Sequence, residues 1–243
     1  MRAIEQGRII VHNIERFIHY LFSSNLGEIA TVFGAIMLGW PLPVGVLQIL
    51  WLNLVTDIFP AMALALEPSA PAVMQRPPRD PRQPLMTPRF AWLITWQGVV
   101  LGACTLAAFR IGMRWYGADG VGLRHAVTIA FMTLALAQVF HAFNARSQQR
   151  SAFTSLLFTN AWLWGATAIC LLLQIAAVTV PPLRDVLHTV PLTPSDWGLI
   201  AACSLTPVAV VEVVKLVRGI VRRATPPVIA TPVIRGSSIA RAT

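Results

Sequence analysis

LQILWLNLVTDIFPAMALALEP, residues 47–68, is the stretch from which the rest of the chain is best read. It is mostly apolar and about as long as the roughly 20 residues a helix needs to cross a hydrocarbon core. Inside it lie Asn53, Thr56 and Asp57, spaced i, i+3, i+4 and therefore on one helical face. A carboxylate at membrane depth costs at least about 2.5–3.5 kcal/mol on insertion scales, so such a residue faces a bundle interior and marks a functional site. Pro60 adds to this. It has no amide hydrogen, so the carbonyl of Thr56, four residues earlier, loses its helical partner. Backbone irregularity at this depth is tolerated where it lines a cavity. The stretch predicts a membrane helix with an oxygen-rich, opened face turned toward other helices.

The flanking sequence supplies those helices. The chain is 56% hydrophobic and 12% charged, whereas soluble domains carry roughly 25% charged residues. Apolar runs fall at about 17–39, 44–66, 90–109, 125–143, 160–180 and 197–217. The fold expected is all-α: a polytopic membrane protein with a six-helix transmembrane bundle over 17–223. Residues 1–16 form the start of a stalk, because Ile10, Ile14, Phe17, Ile18 and Leu21 recur at helical spacing. Pro41 and Pro43 mark a tight turn, 67–89 a Pro- and Arg-rich loop, and 224–243 a flexible tail. Residues 1–16 also do not read as a signal peptide.

The net charge of +9 does not indicate a nucleic-acid partner, because the basic residues cluster at the ends of apolar runs. With both termini cytoplasmic, only Arg110, Arg114, Arg124 and Arg184 of the nineteen basic residues fall outside, as the positive-inside rule requires. Trp40, Trp92, Trp115, Trp162 and Trp197 lie near run ends, where interfacial aromatics belong. Cys104, Cys170 and Cys203 sit in separate runs without ligand-like spacing and read as packing residues.

Three runs hold the candidate ligands. Asn25 and Glu28 share a face of the first, Asn53, Thr56 and Asp57 a face of the second, and Gln138 lies in the fourth. Amide, hydroxyl, carboxylate and carbonyl oxygens are the donor set of Ca²⁺, and two carboxylates balance one divalent cation. The absence of His and Cys from the set disfavours copper and zinc. A lone membrane Gln commonly hydrogen-bonds across a helix interface, so Gln138 has that reading beside the ligand one. Glu212 precedes Lys215 by three and predicts a local ion pair. His19 and His141 lie near run ends and are given no chemistry.

These residues resemble a known family. EQGRIIVHNIERFIHYLF (5–22) looks like the stalk entering the fifth membrane helix of calcium-type P-type ATPases, and SSNLGE (23–28) like the cation-binding turn of that helix. Residues 47–68 resemble the sixth helix, MQRPPRDPRQPL (74–85) the loop after it, and PSDW (194–197) the approach to the last. The resemblance covers the chain except its tail. It implies that Asn25, Glu28, Asn53, Thr56 and Asp57 are cation ligands and that Asp57 would bridge two sites in two-ion members. Those members carry a Glu where Gln138 stands, so one charge of a two-ion site is missing.

The DKTG phosphorylation motif, the TGE loop and the GDGxND loop of the family are absent from this sequence. Phosphoryl transfer needs a positioned acceptor, metal and phosphates, so the chain is expected not to hydrolyse ATP alone. ATP and Mg²⁺ would act only through missing domains. The leading expectation is a C-terminal fragment or split-pump half that binds and translocates Ca²⁺ in a bacterial plasma membrane. Its partners would be the lipid bilayer and a separate chain with actuator, phosphorylation and nucleotide domains. A non-transporting membrane remnant or accessory protein, or specificity for Mn²⁺, Mg²⁺ or Na⁺, are the competing expectations.

Overall fold

The computed structural model describes residues 2–68, 84–146 and 160–224. Among them every regular element is helical and there is no strand. The elements are α1 (Arg2–Met37), α2 (Val46–Leu52), a π-helical turn (Asn53–Asp57), α3 (Ile58–Ala65), α4 (Pro88–Tyr116), α5 (Gly120–Ala145), α6 (Ala161–Thr179), α7 (Pro181–Leu187) and α8 (Pro194–Ala224). Most of the expected 67–89 loop and nearly all of the 224–243 tail fall outside the described residues. Ala224 itself closes α8.

Five segments are long and apolar enough to cross a membrane: Val46–Ala65, Pro88–Tyr116, Gly120–Ala145, Ala161–Thr179 and Pro194–Arg218. The sequence predicted six. The difference is α1, whose run is diluted by Ser23, Ser24, Asn25 and Glu28, the residues that point to a site. The expected stalk and first run form one uninterrupted helix of 36 residues. The unforeseen α7 begins at Pro181–Pro182. Proline suits a first helical turn, where its missing N–H has no partner to lose.

Packing places α5 at the centre, buried on nearly every side. Ile129, Met132, Leu134 and Ala135 of α5 join Leu52 and Ile200 in the main core cluster. α1 lies tightly on α4. A Cβ on Gly102 would fall 2.7 Å from the Ala30 Cβ and 3.0 Å from the Gly27 carbonyl oxygen, and one on Gly98 would fall 2.9 Å from the Leu26 Cβ. Small residues four apart let membrane helices approach this closely where hydrophobic force is lacking.

Polar clasps close the two ends of the bundle. At one end Glu67 is buried, with Arg146 Nε 2.5 Å from Oε1 and Asn160 Nδ2 2.5 Å from Oε2. Asn13 of α1 donates to the carbonyls of Ala65 and Glu67, 3.0 Å each. Glu67, at the start of the expected 67–89 loop, is thus a structural anchor. At the other end Asp196, fully buried, accepts from Tyr116 Oη (3.0 Å) and the Thr193 amide (2.7 Å) and lies 2.9 Å from His125 Nε2. The predicted Glu212–Lys215 pair is present at 2.9 Å.

Candidate cation-binding site

The site is built where α1, the π-turn and α5 meet. Gly27 and Ala30 lock one face of α1 onto α4, so Asn25 and Glu28 are carried on other faces. Asn25 Nδ2 donates to Asp57 Oδ2 at 3.2 Å and to the Leu21 carbonyl at 2.8 Å. Glu28 turns to α5, where Gln138 Nε2 donates to its Oε1 at 2.9 Å. Gln138 Oε1 lies 2.7 Å from Thr56 Oγ1, which also lies 2.8 Å from the Leu52 carbonyl and shares its one hydrogen between them. One fully buried amide therefore joins the acidic residue of α1 to the hydroxyl of the π-turn. Asn25 with Asp57, and Glu28 with Gln138 and Thr56, are joined by these bonds, while Asn53 lies on the π-turn with no side-chain bond to the others among the described residues.

The π-turn explains how Asp57 comes to face inward. A helix widened by one residue per turn changes the direction of its side chains and leaves carbonyls without normal helical partners. Those carbonyls are taken up from both sides. Tyr20 Oη donates to the Thr56 carbonyl, and Cys170 Sγ of α6 to the Val55 carbonyl at 3.3 Å. The freed Thr56 carbonyl expected from Pro60 is thus already engaged, though a carbonyl oxygen keeps a second lone pair.

Two side-chain oxygens of the candidate residues remain unspent. Asp57 Oδ1 and Asn53 Oδ1 are buried without a hydrogen-bond partner among the described residues. A buried acceptor left so is costly, which makes each of the two a candidate oxygen donor. No group of three or more His, Cys, Asp or Glu side chains gathers among the described residues. The candidate residues themselves offer two carboxylates with neutral oxygens, a combination that suits a hard cation.

A second polar layer, absent from the sequence reading, lies one helical turn away. His19 Nε2 is 2.7 Å from Gln97 Oε1 of α4, and His141 Nε2 is 2.7 Å from Ser23 Oγ. Both rings are buried and meet edge-on, 5.6 Å between centroids, and Tyr20 stacks on His141. The available signal was spacing: His141 follows Gln138 by three, and Ser23 follows His19 by four.

The family model "Cation transporting ATPase, C-terminus" matches residues 41–217, most of the chain. The chain belongs to the cation-transporting ATPase C-terminus family. Calcium-transporting ATPase 1 of Bacillus cereus is 38% identical over 230 residues, covering 90% of this chain and 26% of the relative. The calcium-transporting ATPase of Bacillus subtilis is 42% identical over 205 residues, 84% of this chain and 23% of the relative. The probable cation-transporting ATPase F of Mycobacterium tuberculosis is 34% identical over 225 residues, 93% and 24%. The chain thus spans about a quarter of the length of these relatives. As a member of the cation-transporting ATPase C-terminus family with several membrane-length helices, it is a multi-pass integral protein of a bacterial plasma membrane. It corresponds to the C-terminal membrane portion of a P-type ATPase.

Proposed function

We propose that the chain holds and translocates Ca²⁺ as the membrane portion of a calcium-transporting ATPase, with Asn25, Glu28, Asn53, Thr56, Asp57 and Gln138 as its ligand set. The observation that carries this is the pair of unspent buried oxygens, Asp57 Oδ1 and Asn53 Oδ1, at a junction that also holds Glu28. The printed names of the Bacillus relatives favour calcium among hard cations. Two carboxylates with a neutral Gln138 match the charge of one divalent ion.

The arrangement that goes with this function has six transmembrane helices over 17–223, α1 being the first. Residues 1–16 form a cytoplasmic stalk, 224–243 a cytoplasmic tail, and both termini lie inside. The Glu67 clasp then belongs to the cytoplasmic end and the Asp196 cluster to the outer end. ATP and Mg²⁺ act through actuator, phosphorylation and nucleotide domains, carried on further sequence or on a separate chain. Movement of those domains reaches the cation through α1.

The test is equilibrium binding of radiolabelled Ca²⁺ to the full chain in lipid nanodiscs, with Mn²⁺, Mg²⁺ and Na⁺ as competitors. Saturable binding of one ion per chain is expected, weakened at least about tenfold by Glu28→Gln or Asp57→Asn, since each removes a charge-assisted contact of about 1.5–3 kcal/mol. A correctly folded chain that binds none of the four ions would favour a passive membrane role. Preferential displacement by Mn²⁺ would reassign the cargo.

A further inference from the structure

At the end of the bundle that holds the α1–α2 turn, a cavity of about 270 Å³ opens between the starts of α2 and α5 and the end of α7. Its walls are mainly apolar, with Val46, Leu47, Leu123, Val127 and Leu187, and its basic lining residues are Arg124 and His188. No acidic residue lines it. Both basic side chains are exposed, and neither has a hydrogen bond or ion pair among the described residues. His188 reaches this rim because it ends α7 in the left-handed conformation, φ 53°.

We infer that this cavity binds an anionic phospholipid of the outer leaflet, its phosphate on Arg124 and His188 and the upper part of an acyl chain against Val46, Leu123 and Val127. Three observations support the assignment. The rim is cationic and the depth apolar, which is the polarity sequence of a phospholipid read from headgroup to tail. The lip is open to the surroundings, since Val46 of the lining is 82% exposed. Arg124 is also one of the few arginines outside the cytoplasmic segments, against the usual bias of membrane proteins, and an anionic headgroup gives it a partner there.

The inference depends on the membrane reading and on the orientation above, not on the cation site. The full chain in mild detergent is titrated with phosphatidylglycerol and, separately, with phosphatidylcholine, and bound lipid is counted by native mass spectrometry. The first phosphatidylglycerol is expected to bind at least about fivefold more tightly, the worth of one basic residue near an anionic surface. R124Q/H188Q should erase that preference, and Val127→Phe, which fills the apolar part, should weaken binding of both lipids. Arg110→Gln alters an outer arginine stacked over Trp40, 5.5 Å from the ring centroid, and should leave the preference intact. Equal binding of the two lipids would overturn the inference, as would a preference that survives R124Q/H188Q or is lost equally in Arg110→Gln. Displacement of the lipid by millimolar inorganic phosphate would also overturn it, in favour of a free-anion site. Glu28→Gln, which tests the cation reading, should not change lipid preference, so the two readings fail separately.

Discussion

Tyr20 of α1 gives its hydroxyl hydrogen to the Thr56 carbonyl, the one backbone oxygen that Pro60 deprives of a helical partner. A side chain 36 residues upstream thereby completes the backbone of the π-turn. Tyr20→Phe keeps the ring but strands a buried acceptor, and is expected to lower stability by about 1–3 kcal/mol. Pro60→Ala restores an amide, so in that background the same change should cost markedly less. Thermal unfolding of the four proteins in detergent reads the coupling. Equal penalties in both backgrounds would show that Tyr20 does not serve this carbonyl.

Gln138 sets the charge of the junction. Gln138→Glu would put a third carboxylate beside Glu28, whose Oε1 it now meets at 2.9 Å through its amide. Like charges at this range in a poorly screened site repel strongly, so the variant should be less stable in chelator than the parent. It should also gain more from added Ca²⁺, since a ligand that binds only the folded form stabilises in proportion to its affinity. Unfolding temperature across a calcium titration checks both halves of the expectation.

The seam between α1 and α4 should tolerate no added volume. Gly102→Val has to displace Ala30 or the backbone at Gly27, and overpacking of this kind costs about 1–3 kcal/mol. Gly165, with nothing within 4 Å of a built Cβ, is the contrast. Its replacement by Ala should be neutral or stabilise by up to about 1 kcal/mol. Scanning unfolding of the two variants decides whether the seam or general helix propensity is being measured.

The clasp at Glu67 should behave as a buried pair. Glu67→Gln or Arg146→Gln alone leaves an uncompensated charge and is expected to cost about 3–5 kcal/mol, whereas the double variant should cost less than the sum. A double-mutant cycle on unfolding free energy checks this. Strict additivity would mean that the 2.5 Å contact carries no coupling.

Much of the site was legible because lipid makes polarity conspicuous. Asn53 and Asp57 stand out in an apolar run, and so do Asn25 and Glu28. What could not be read was partnership. Gln138 was a candidate on its own account, but its bonds reach Thr56 and Glu28, 82 and 110 residues away. Glu67 was read only as the start of a Pro- and Arg-rich loop, because its partner Arg146 lies 79 residues on. The same polarity that revealed the first helix's candidate residues also lowered its apolar density, which is why six runs became five segments that pass for membrane spans by length and composition. α7 was not anticipated, because it is only seven residues long and begins at Pro181, just past the apolar run that ends near 180.

The unbroken course of α1 has a mechanical consequence. From Glu5 to Glu28 it is a strut of about 35 Å at the usual helical rise, with no proline to absorb movement on the way. The opposing wall of the junction is the π-turn, a widened segment held by side-chain bonds from Tyr20 and Cys170. One wall is a continuous α-helix and the other a locally widened turn. In the proposed pump, a thrust along the strut would carry Glu28 and Asn25 relative to Asp57. There, a cation held by both walls would have its cage distorted as α1 moved, together with the α1–α4 seam.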